Sequence, residues 1–473
     1  MRLQRIYLSA FILLLVACNN SGSNTITETD AKLRTLISEQ NLTGDPSLER
    51  EIPLIESPEA QLGMKLFFTK ALGGDRDTAC VSCHHPALGG GDNFALPMGV
   101  GAVDTDVLGP GRELASHAGP NVPRNAPSTF NISLWDQVLF WDGRVESLGK
   151  TPNANGADGA GVRTPDSSFG EADPLAEDLT SAQVRFPVTS NAEMRGESFV
   201  HGGSNEDVRT ALALRLSENP AWKSEFEKVY GNDTISYQKV ASAIAKYENS
   251  QTFVDTPWKE YVGGNDAAIS LAAKRGALAF FTSRENGGAG CADCHGGDFF
   301  TDEKFHAIAI PQIGEGKGDG PHGDDDFGRF RETGVASDMY AFRTPTLLNV
   351  EVTGPYGHSG AYKTLEEIVL HHLNAEEAIS KFDMNNMDEG IIGDNWEENT
   401  QRALATVKSY RELGAATIYD VAYDELMVLN IVEFLKSLTD PCVKDRQCLN
   451  PWIPEASSDL ETFTATNPSN RPL

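Results

Sequence analysis

The chain has 473 residues, of which 68 are Asp or Glu and 39 are Lys or Arg, so its formal net charge at pH 7 is -29. Such an acidic balance argues against nucleic acid as a partner, whereas it suits either a basic protein partner or simple solubility. A chain of this length exceeds the size at which one hydrophobic core usually stops growing, so we expect two domains.

The first 18 residues are interpreted as the signal peptide of an exported lipoprotein. A basic start precedes an apolar stretch, residues 6–17, that is too short to span a bilayer. The sequence Leu-Val-Ala-Cys that ends at Cys18 resembles a lipobox, in which the cysteine becomes the lipidated N-terminus; an ordinary cleaved signal is the alternative. The next residue, Asn19, is not the aspartate that is associated with retention in the inner membrane. We therefore expect a periplasmic protein held to the outer membrane by its lipid only, with residues 19–50 as a flexible tether.

A helix is predicted to begin after Ser57, which can cap it, with Pro58 in the first turn. A Cys-Val-Ser-Cys-His motif follows, with Cys80, Cys83 and His84. This is the attachment motif of c-type haem, in which two thiols add to the haem vinyl groups and the histidine becomes the proximal iron ligand. The sequence therefore predicts a covalently bound haem here.

The same motif recurs as Cys-Ala-Asp-Cys-His, with Cys291, Cys294 and His295. The segments before the two motifs also match, since Ala-Gln-Leu-Gly-Met-Lys-Leu-Phe-Phe-Thr at 60–69 answers Ala-Lys-Arg-Gly-Ala-Leu-Ala-Phe-Phe-Thr at 273–282. A zinc site built from the two cysteine pairs is the alternative, but it would not require a histidine directly after each pair. Two c-type haems are predicted.

The segments after the motifs match as well. Ala-Pro-Ser-Thr-Phe-Asn at 126–131 answers Thr-Pro-Thr-Leu-Leu-Asn at 344–349, and Trp141 and His358 occupy matching places. The distance between the copies far exceeds the period of a solenoid repeat. We interpret the chain as two copies of one domain.

Helices dominate the remaining pattern. The segments 237–250 and 425–438 carry apolar residues at helical spacing, while strand patterns are scarce. The Gly-, Asp- and Pro-rich stretches 153–178 and 314–326 are interpreted as surface loops, and the acids 324–326 as solvated. The fold class is therefore mainly α, with two cytochrome c-like domains whose haems face a shared interface.

The domain boundaries follow from these copies. We expect an N-terminal haem domain at 51–254, a C-terminal haem domain at 255–440 and a tail at 441–473. Cys442 and Cys448 lie in this exported tail, where a disulfide is the natural state.

From Pro58 to Asp440 the chain resembles the bacterial di-haem cytochrome c peroxidase family, which includes the MauG-type enzymes that oxidise protein tryptophans. The resemblance is carried by Leu62-Gly63 with Leu66-Phe67-Phe68, the first haem motif with Pro86 to Gly90, Arg124 to Pro127, Phe140 to Arg144, Glu193-Met194 and Pro355 to Gly360.

In this family peroxide reacts at the N-terminal haem, and the resemblance implies that His117 is its releasable distal ligand; a plain loop histidine is the alternative. Peroxide cleavage requires a proton to move between the two oxygens, a task for a carboxylate above the haem. Glu193 matches the family's acid–base residue, against the alternative of a solvated loop glutamate. Where the family often has a glutamine, this chain has Thr189.

The second haem of the family relays electrons, and its second axial ligand tunes its potential. The peroxidases have a methionine there and the MauG type a tyrosine, whereas the matching position here is His372. His371, Met384 and Met387 remain alternatives. The resemblance also implies that Trp141 carries charge between the haems.

A calcium ion between the domains is implied too, bound by the Asn125 side chain, the carbonyls of Thr353 and Pro355, and water.

The leading hypothesis is a peroxidase that reduces hydrogen peroxide with electrons from a small c-type cytochrome or cupredoxin. A MauG-like oxidase of a partner protein and a non-catalytic di-haem electron carrier are the alternatives. Members of the family are commonly dimers, so the resemblance is compatible with a homodimer.

Overall fold

The structure is a computed structural model that describes residues 21–115, 119–231, 234–387, 390–391, 393–415 and 418–463. The signal peptide with Cys18, and His117, lie outside the described residues. The helices are α1 Ser21–Glu39, α2 Pro58–Phe68, α3 Leu179–Val184, α4 Asn205–Glu218, α5 Pro220–Tyr230, α6 Tyr237–Asn249, α7 Pro257–Val262, α8 Leu271–Phe281, α9 Phe330–Thr333, α10 Leu365–Leu373, α11 Ala375–Lys381, α12 Trp396–Glu412, α13 Glu425–Lys436 and α14 Arg446–Leu449.

Short strands form two small antiparallel sheets. The strands are β1 Val138–Leu139, β2 Val145–Ser147, β3 Val162–Arg163, β4 Phe305–Ala307 and β5 Ala341–Arg343. The first sheet has the order β1-β2-β3 and the second pairs β4 with β5. The expected mainly α class is confirmed for the described chain.

A close crossing of two helices organises each half of the molecule. In the first half α2 crosses α6, and a Cβ atom added to Gly63 would lie 1.8 Å from the Ala243 carbonyl oxygen. In the second half α8 crosses α13, and a Cβ on Gly276 would lie 1.9 Å from the Asn430 carbonyl oxygen. Only glycine permits backbones to approach this closely.

An asparagine in each half ties that half to the segment between them. Asn131 and Asn349 both adopt positive φ, of 61° and 62°. The side-chain amides of both donate to the carbonyl oxygen of Phe253, at 3.2 and 3.0 Å. One carbonyl therefore joins equivalent turns of the two halves.

The expected flexible tether at 19–50 is wrong where the structure describes it. α1 is helical, and Leu33 and Ile37 on its second half are buried against the core of the C-terminal half. Asp30 binds buried Lys274 at 2.7 Å. An apolar stripe and an ion pair therefore fix this segment, which the polar composition of its first turns did not predict.

Both predicted surface loops are also partly wrong. Within 153–178, β3 is buried because it is the third strand of a sheet. Within 314–326, Asp325 and Asp326 are fully or almost fully buried, at 0% and 2% exposure. The acids are buried because each has a cationic or hydroxyl partner, so they are not simply solvated.

The tail after residue 440 folds back onto the N-terminal half. Cys442 and Cys448 form a disulfide. Thr462 bridges to Thr69, and Phe463 lies in the N-terminal core. Among the residues that the structure describes, no helix is both long and apolar enough to cross a membrane.

Candidate functional site

The four motif cysteines meet at one internal cavity. Cys80, Cys83, Cys291 and Cys294 are free thiols on two short 3-10 turns. All four line a single cavity of about 370 Å³, together with the histidine that follows each pair. Both motifs therefore open toward the same space between the halves.

Backbone carbonyls orient the two motif histidines. His84 Nδ1 lies 3.1 Å from the Gly90 carbonyl oxygen, and His295 Nδ1 lies 3.0 Å from that of Phe300. Burial lowers the pKa of His84 and, with the charge of His372, lowers that of His295 to about 4. Each ring is thus neutral, with Nδ1 engaged and Nε2 left for iron.

His372 faces His295 across the cavity. The centroids of the two rings are 6.2 Å apart. Two imidazoles that bind one metal ion from opposite sides, with metal–nitrogen bonds of about 2 Å, have centroids roughly 6 to 6.5 Å apart. His372 Nδ1 contacts the Ile368 carbonyl oxygen at 2.8 Å, so its Nε2 is the nitrogen available to a metal.

The alternatives at this position have other contacts. Tyr362 Oη lies 2.8 Å from His371 Nδ1, and the Ile308 carbonyl oxygen lies 2.7 Å from its Nε2. Met384 and Met387 pack against a separate apolar cluster and do not line the cavity. Of the four residues considered from sequence, His372 is the one with the geometry of an axial ligand.

Glu193 lies in a single π-helical turn, Asn191–Arg195, that borders the first motif. It is half-buried and lines the cavity. Burial raises the pKa of the Cys83 thiol, and the Glu193 carboxylate adds to this effect. Such turns are frequent at functional sites, because the extra residue redirects a side chain.

Thr189 does not share this position. Its hydroxyl donates to the Phe186 carbonyl oxygen at 2.8 Å, and the residue is not among those that line the cavity. The water-ordering role that the family's glutamine suggests has no support at Thr189.

Trp141 lies in the wall that both motifs share. It is 8% exposed, and its Nε1 donates to the Asn125 carbonyl oxygen at 2.9 Å. The backbone of Trp141 accepts from Arg343 of the second half. The indole is therefore oriented by its bond to Asn125, while the main chain of Trp141 is tied to the second half.

The three residues expected to bind calcium line the same cavity. Asn125 donates its side-chain nitrogen to the carbonyls of Phe94 and Ala95, at 3.0 and 3.1 Å, so its Oδ1 is the atom left to face a cation. Thr353 and Pro355 also line this wall. Neutral oxygen donors of this kind suit calcium.

Several buried polar atoms at the cavity wall have no hydrogen-bond partner among the residues that the structure describes: Glu248 Oε2, Arg343 Nη1 and His358 Nε2. Arg343 and His358 offer donors that suit the propionate groups of a haem. With the free thiols and oriented histidines, the residues present fit two c-type haems. Nothing in the sequence pattern singled out Arg343 or Glu248.

A buried ion network joins the halves beside the cavity. Arg124 binds Asp142 of the first half at 2.6 Å and Asp326 of the second half at 2.6 Å. Although burial opposes it, the charges of Arg144 and Arg124 hold the pKa of Asp142 well below its usual range. The acids therefore stay ionised and pair with Arg124.

Cys294, Asp302 and His306 also lie close enough together to hold a metal ion. Cys294, however, belongs to the second haem attachment motif, which would use its sulfur for the haem. Although burial alone would lower it, the hydrogen bond that His306 donates to Asp302 raises the pKa of His306 to about 9. The pair Asp302–His306 is therefore an ion pair at the cavity wall.

The model of the di-haem cytochrome c peroxidase family matches residues 57–267. The chain is thus a homologue of di-haem cytochrome c peroxidases and MauG proteins. Members named for different activities are similar to it. Methylamine utilization protein MauG from Methylorubrum extorquens is 26% identical over 375 residues, which cover 77% of this chain and 84% of the relative. Cytochrome c551 peroxidase from Pseudomonas aeruginosa is 27% identical over 327 residues, 68% of this chain and 73% of the relative.

The chain also shares its fold with a solved dihaem peroxidase. A crystal structure of a dihaem peroxidase from Burkholderia thailandensis superposes with a TM-score of 0.56 at 18% identity and covers 90% of this chain and 93% of its own. The family places the chain among the haem peroxidase oxidoreductases and implies two c-type haems.

Proposed function

We propose that the protein reduces hydrogen peroxide to water in the periplasm, with electrons taken one at a time from a small c-type cytochrome or cupredoxin. One peroxide consumes two electrons and two protons and yields two water molecules. The observation that carries this proposal is the position of Glu193, a half-buried acid at the wall of the cavity that the first haem motif lines.

In the first half, Cys80 and Cys83 would attach the haem and His84 would bind its iron. The haem would supply the iron chemistry that reduces peroxide. Glu193 accepts a proton from one peroxide oxygen and returns it to the other, so that the departing oxygen leaves as water. This general acid–base step is worth about 10² to 10⁴ in rate.

In the second half, Cys291 and Cys294 would attach a haem, and His295 and His372 would bind its iron. The ring separation of 6.2 Å supports this pair. Two imidazoles give a lower potential than one imidazole and a methionine. This half accepts the donor's electrons, and Trp141 carries them toward the first half.

We further propose that His117 closes the first haem in the resting state and releases it on activation, as in closed members of the family. A histidine on the iron would block peroxide, so its loop acts as a gate. We also propose that the Asn125, Thr353 and Pro355 oxygens bind a calcium ion, since all three residues line the cavity. One spectrum of the half-reduced protein with calcium tests the gate, because release of His117 produces a high-spin haem.

The two halves are proposed to be copies of one cytochrome c-like domain. The glycine crossings at Gly63 and Gly276 and the equivalent turns at Asn131 and Asn349 support this origin. The protein is proposed to be anchored through Cys18 to the outer membrane.

A steady-state assay with reduced cytochrome c tests the main proposal. We expect peroxide-dependent oxidation of the cytochrome after the enzyme has been pre-reduced. Absence of oxidation with both cytochrome and cupredoxin donors, before and after pre-reduction with calcium, would contradict it.

The second candidate is a MauG-like oxidase that removes electrons from side chains of a partner protein. It is favoured by the similarity to methylamine utilization protein MauG across 84% of that relative. Mass spectrometry of candidate partner proteins after peroxide treatment separates the two functions, since only the oxidase leaves modified aromatic residues.

A further inference from the structure

Glu248 is a buried acid in the first half that the proposed mechanism does not use. It lies on the last turn of α6 and is 4% exposed. It lines the cavity with Cys80 and Ile244, and no described residue hydrogen-bonds its Oε2. Buried carboxyl oxygens are normally bonded, so one at the wall of a cofactor cavity requires an explanation.

The second half has no acid at the matching place. The helix crossings at Ala243 and Asn430 align α6 with α13. Leu435 follows its crossing at the same spacing as Glu248 follows its own, and both line the cavity. An apolar side chain can therefore fill this position in the fold, and only the first half has an acid there.

The charged groups near Glu248 are few. Asp178, the N-cap of α3, is the charge that acts on it directly. The charge of Glu248 in turn contributes to raising the pKa of Cys80 in the haem motif and of Tyr247 on the same helix. Burial, reinforced by Asp178, raises the pKa of Glu248 to about 8. A carboxyl with such a pKa changes its protonation near neutral pH when the charge beside it changes.

The other helices that pack on α6 direct their charges elsewhere. On α2, Glu59 accepts from Tyr230 and Lys65 binds Glu225. On α4, buried Arg209 binds an acid outside the cavity wall. Among the residues that the structure describes, no cation is therefore left beside Glu248 to keep it ionised.

We propose that Glu248 is the proton-binding site of the first haem: it takes up one proton from solvent when that haem gains an electron and releases it when the electron leaves. The electron comes from the donor protein. An added electron makes a buried cavity more negative, and a proton on Glu248 cancels that charge, which matters because water screens it poorly there. The inference rests on haem attachment at Cys80 and Cys83, as in the proposed function.

Redox titration of the full-length holoprotein across pH 6 to 10 tests this inference. In the wild type we expect one of the two midpoint potentials to fall as the pH rises through about 8. Glu248→Gln keeps the shape but cannot ionise, and Glu248→Leu copies the second half. In both variants that potential becomes independent of pH in this range.

Two matched variants serve as controls. Glu218→Gln removes an exposed carboxylate at the end of α4, and Glu193→Gln removes the other acid at the cavity wall; both retain the pH dependence of the wild type. A slope that persists in Glu248→Gln, or that is lost in Glu193→Gln instead, overturns the inference.

Infrared difference spectra give a second readout that a purely structural role would not move. The reduced-minus-oxidised spectrum should contain a positive band of a protonated carboxyl group, which is absent in Glu248→Gln. A wild-type spectrum without this band also overturns the inference. Peroxide turnover enters neither measurement, so failure of the peroxidase proposal and failure of this one are separate results.

Discussion

His371 and His372 are neighbours on α10, yet their surroundings give them different roles. Both nitrogens of His371 are engaged, by Tyr362 and by the Ile308 carbonyl, whereas His372 uses only Nδ1. His372, with its Nε2 free and opposite His295, can bind iron. His371, with both nitrogens hydrogen-bonded, stabilises the fold. The sequence offered both residues as candidate ligands, and only the side-chain geometry distinguishes their roles.

Replacing His372 by methionine should raise the potential of the second haem, because a thioether stabilises reduced iron better than an imidazole does. Spectroelectrochemical titration measures this shift. His371→Gln is the matched control: it should lower stability, since buried bonds are lost, but leave both haem potentials near those of the wild type. Equal shifts in the two variants would contradict the assignment of His372.

Replacing Glu193 by glutamine should lower kcat with peroxide by about 10² to 10⁴, because an amide cannot move the proton between the peroxide oxygens. Steady-state oxidation of reduced cytochrome c measures it. Glu197→Gln, an exposed acid in the same segment, serves as control and should retain the wild-type kcat. A fall of less than tenfold for Glu193→Gln would exclude the acid–base role.

The sequence predicts site residues wherever local chemistry dictates a motif. The cysteines and histidines are predicted by the haem attachment motif and Glu193 by its place in a family motif, and the structure shows that all of them line one cavity. Arg343 and Glu248 could not be predicted, because their roles depend on which buried atoms lack partners after the halves have folded together.

At the scale of elements, the helix crossings position the haem motifs. The segment predicted as helical at 237–250 is α6, and that at 425–438 is α13, since apolar spacing and capping residues suffice to define them. α1 was missed because its stability comes from long-range contacts such as Asp30 with Lys274. Tertiary partners far along the chain leave no local pattern.

Alanine at Gly63 or Gly276 should destabilise the protein by about 3 kcal/mol, the upper end of the range for overpacked cores. The added Cβ would lie 1.8 or 1.9 Å from a carbonyl oxygen of the crossing helix, so α2 or α8 must move. Denaturant unfolding measures the change in free energy. Gly203→Ala is the control, since nothing lies within 4 Å of its added Cβ.

An unchanged stability of Gly63→Ala would show that the crossing can open without cost. A large loss in Gly203→Ala would instead show that any alanine in this chain is damaging. The expected result also predicts poor haem attachment in both crossing variants, because each motif follows the helix that moves.

At the scale of the whole molecule, the two halves are joined by polar contacts as well as by the shared cavity. Arg124 bridges Asp142 and Asp326 across the interface, and the Phe253 carbonyl accepts from both halves. The tail that returns to the N-terminal core adds a third connection. None of these contacts follows from either half alone, which is why the sequence did not predict how the halves are joined.

Asp326→Asn should lower the free energy of unfolding at pH 7 by about 3 kcal/mol, because it leaves Arg124 with part of its charge unpaired in the interior. Glu433→Gln, which breaks an exposed pair with Lys436, should cost less than about 1 kcal/mol. Denaturant unfolding of both variants beside the wild type measures the two losses.

The same pair predicts how stability depends on pH. Although burial opposes it, the charge of Arg124 lowers the pKa of Asp326 from its ordinary value of 3.8. A carboxyl with a lowered folded pKa adds stability that is complete above the unfolded pKa and is lost as the pH falls toward the folded one. The difference between wild type and Asp326→Asn should therefore be constant from pH 7 to about 5 and shrink below pH 4. A difference that shrinks already between pH 7 and 5 would mean that Asp326 is not held ionised by Arg124, and the junction of the halves would then depend on other contacts.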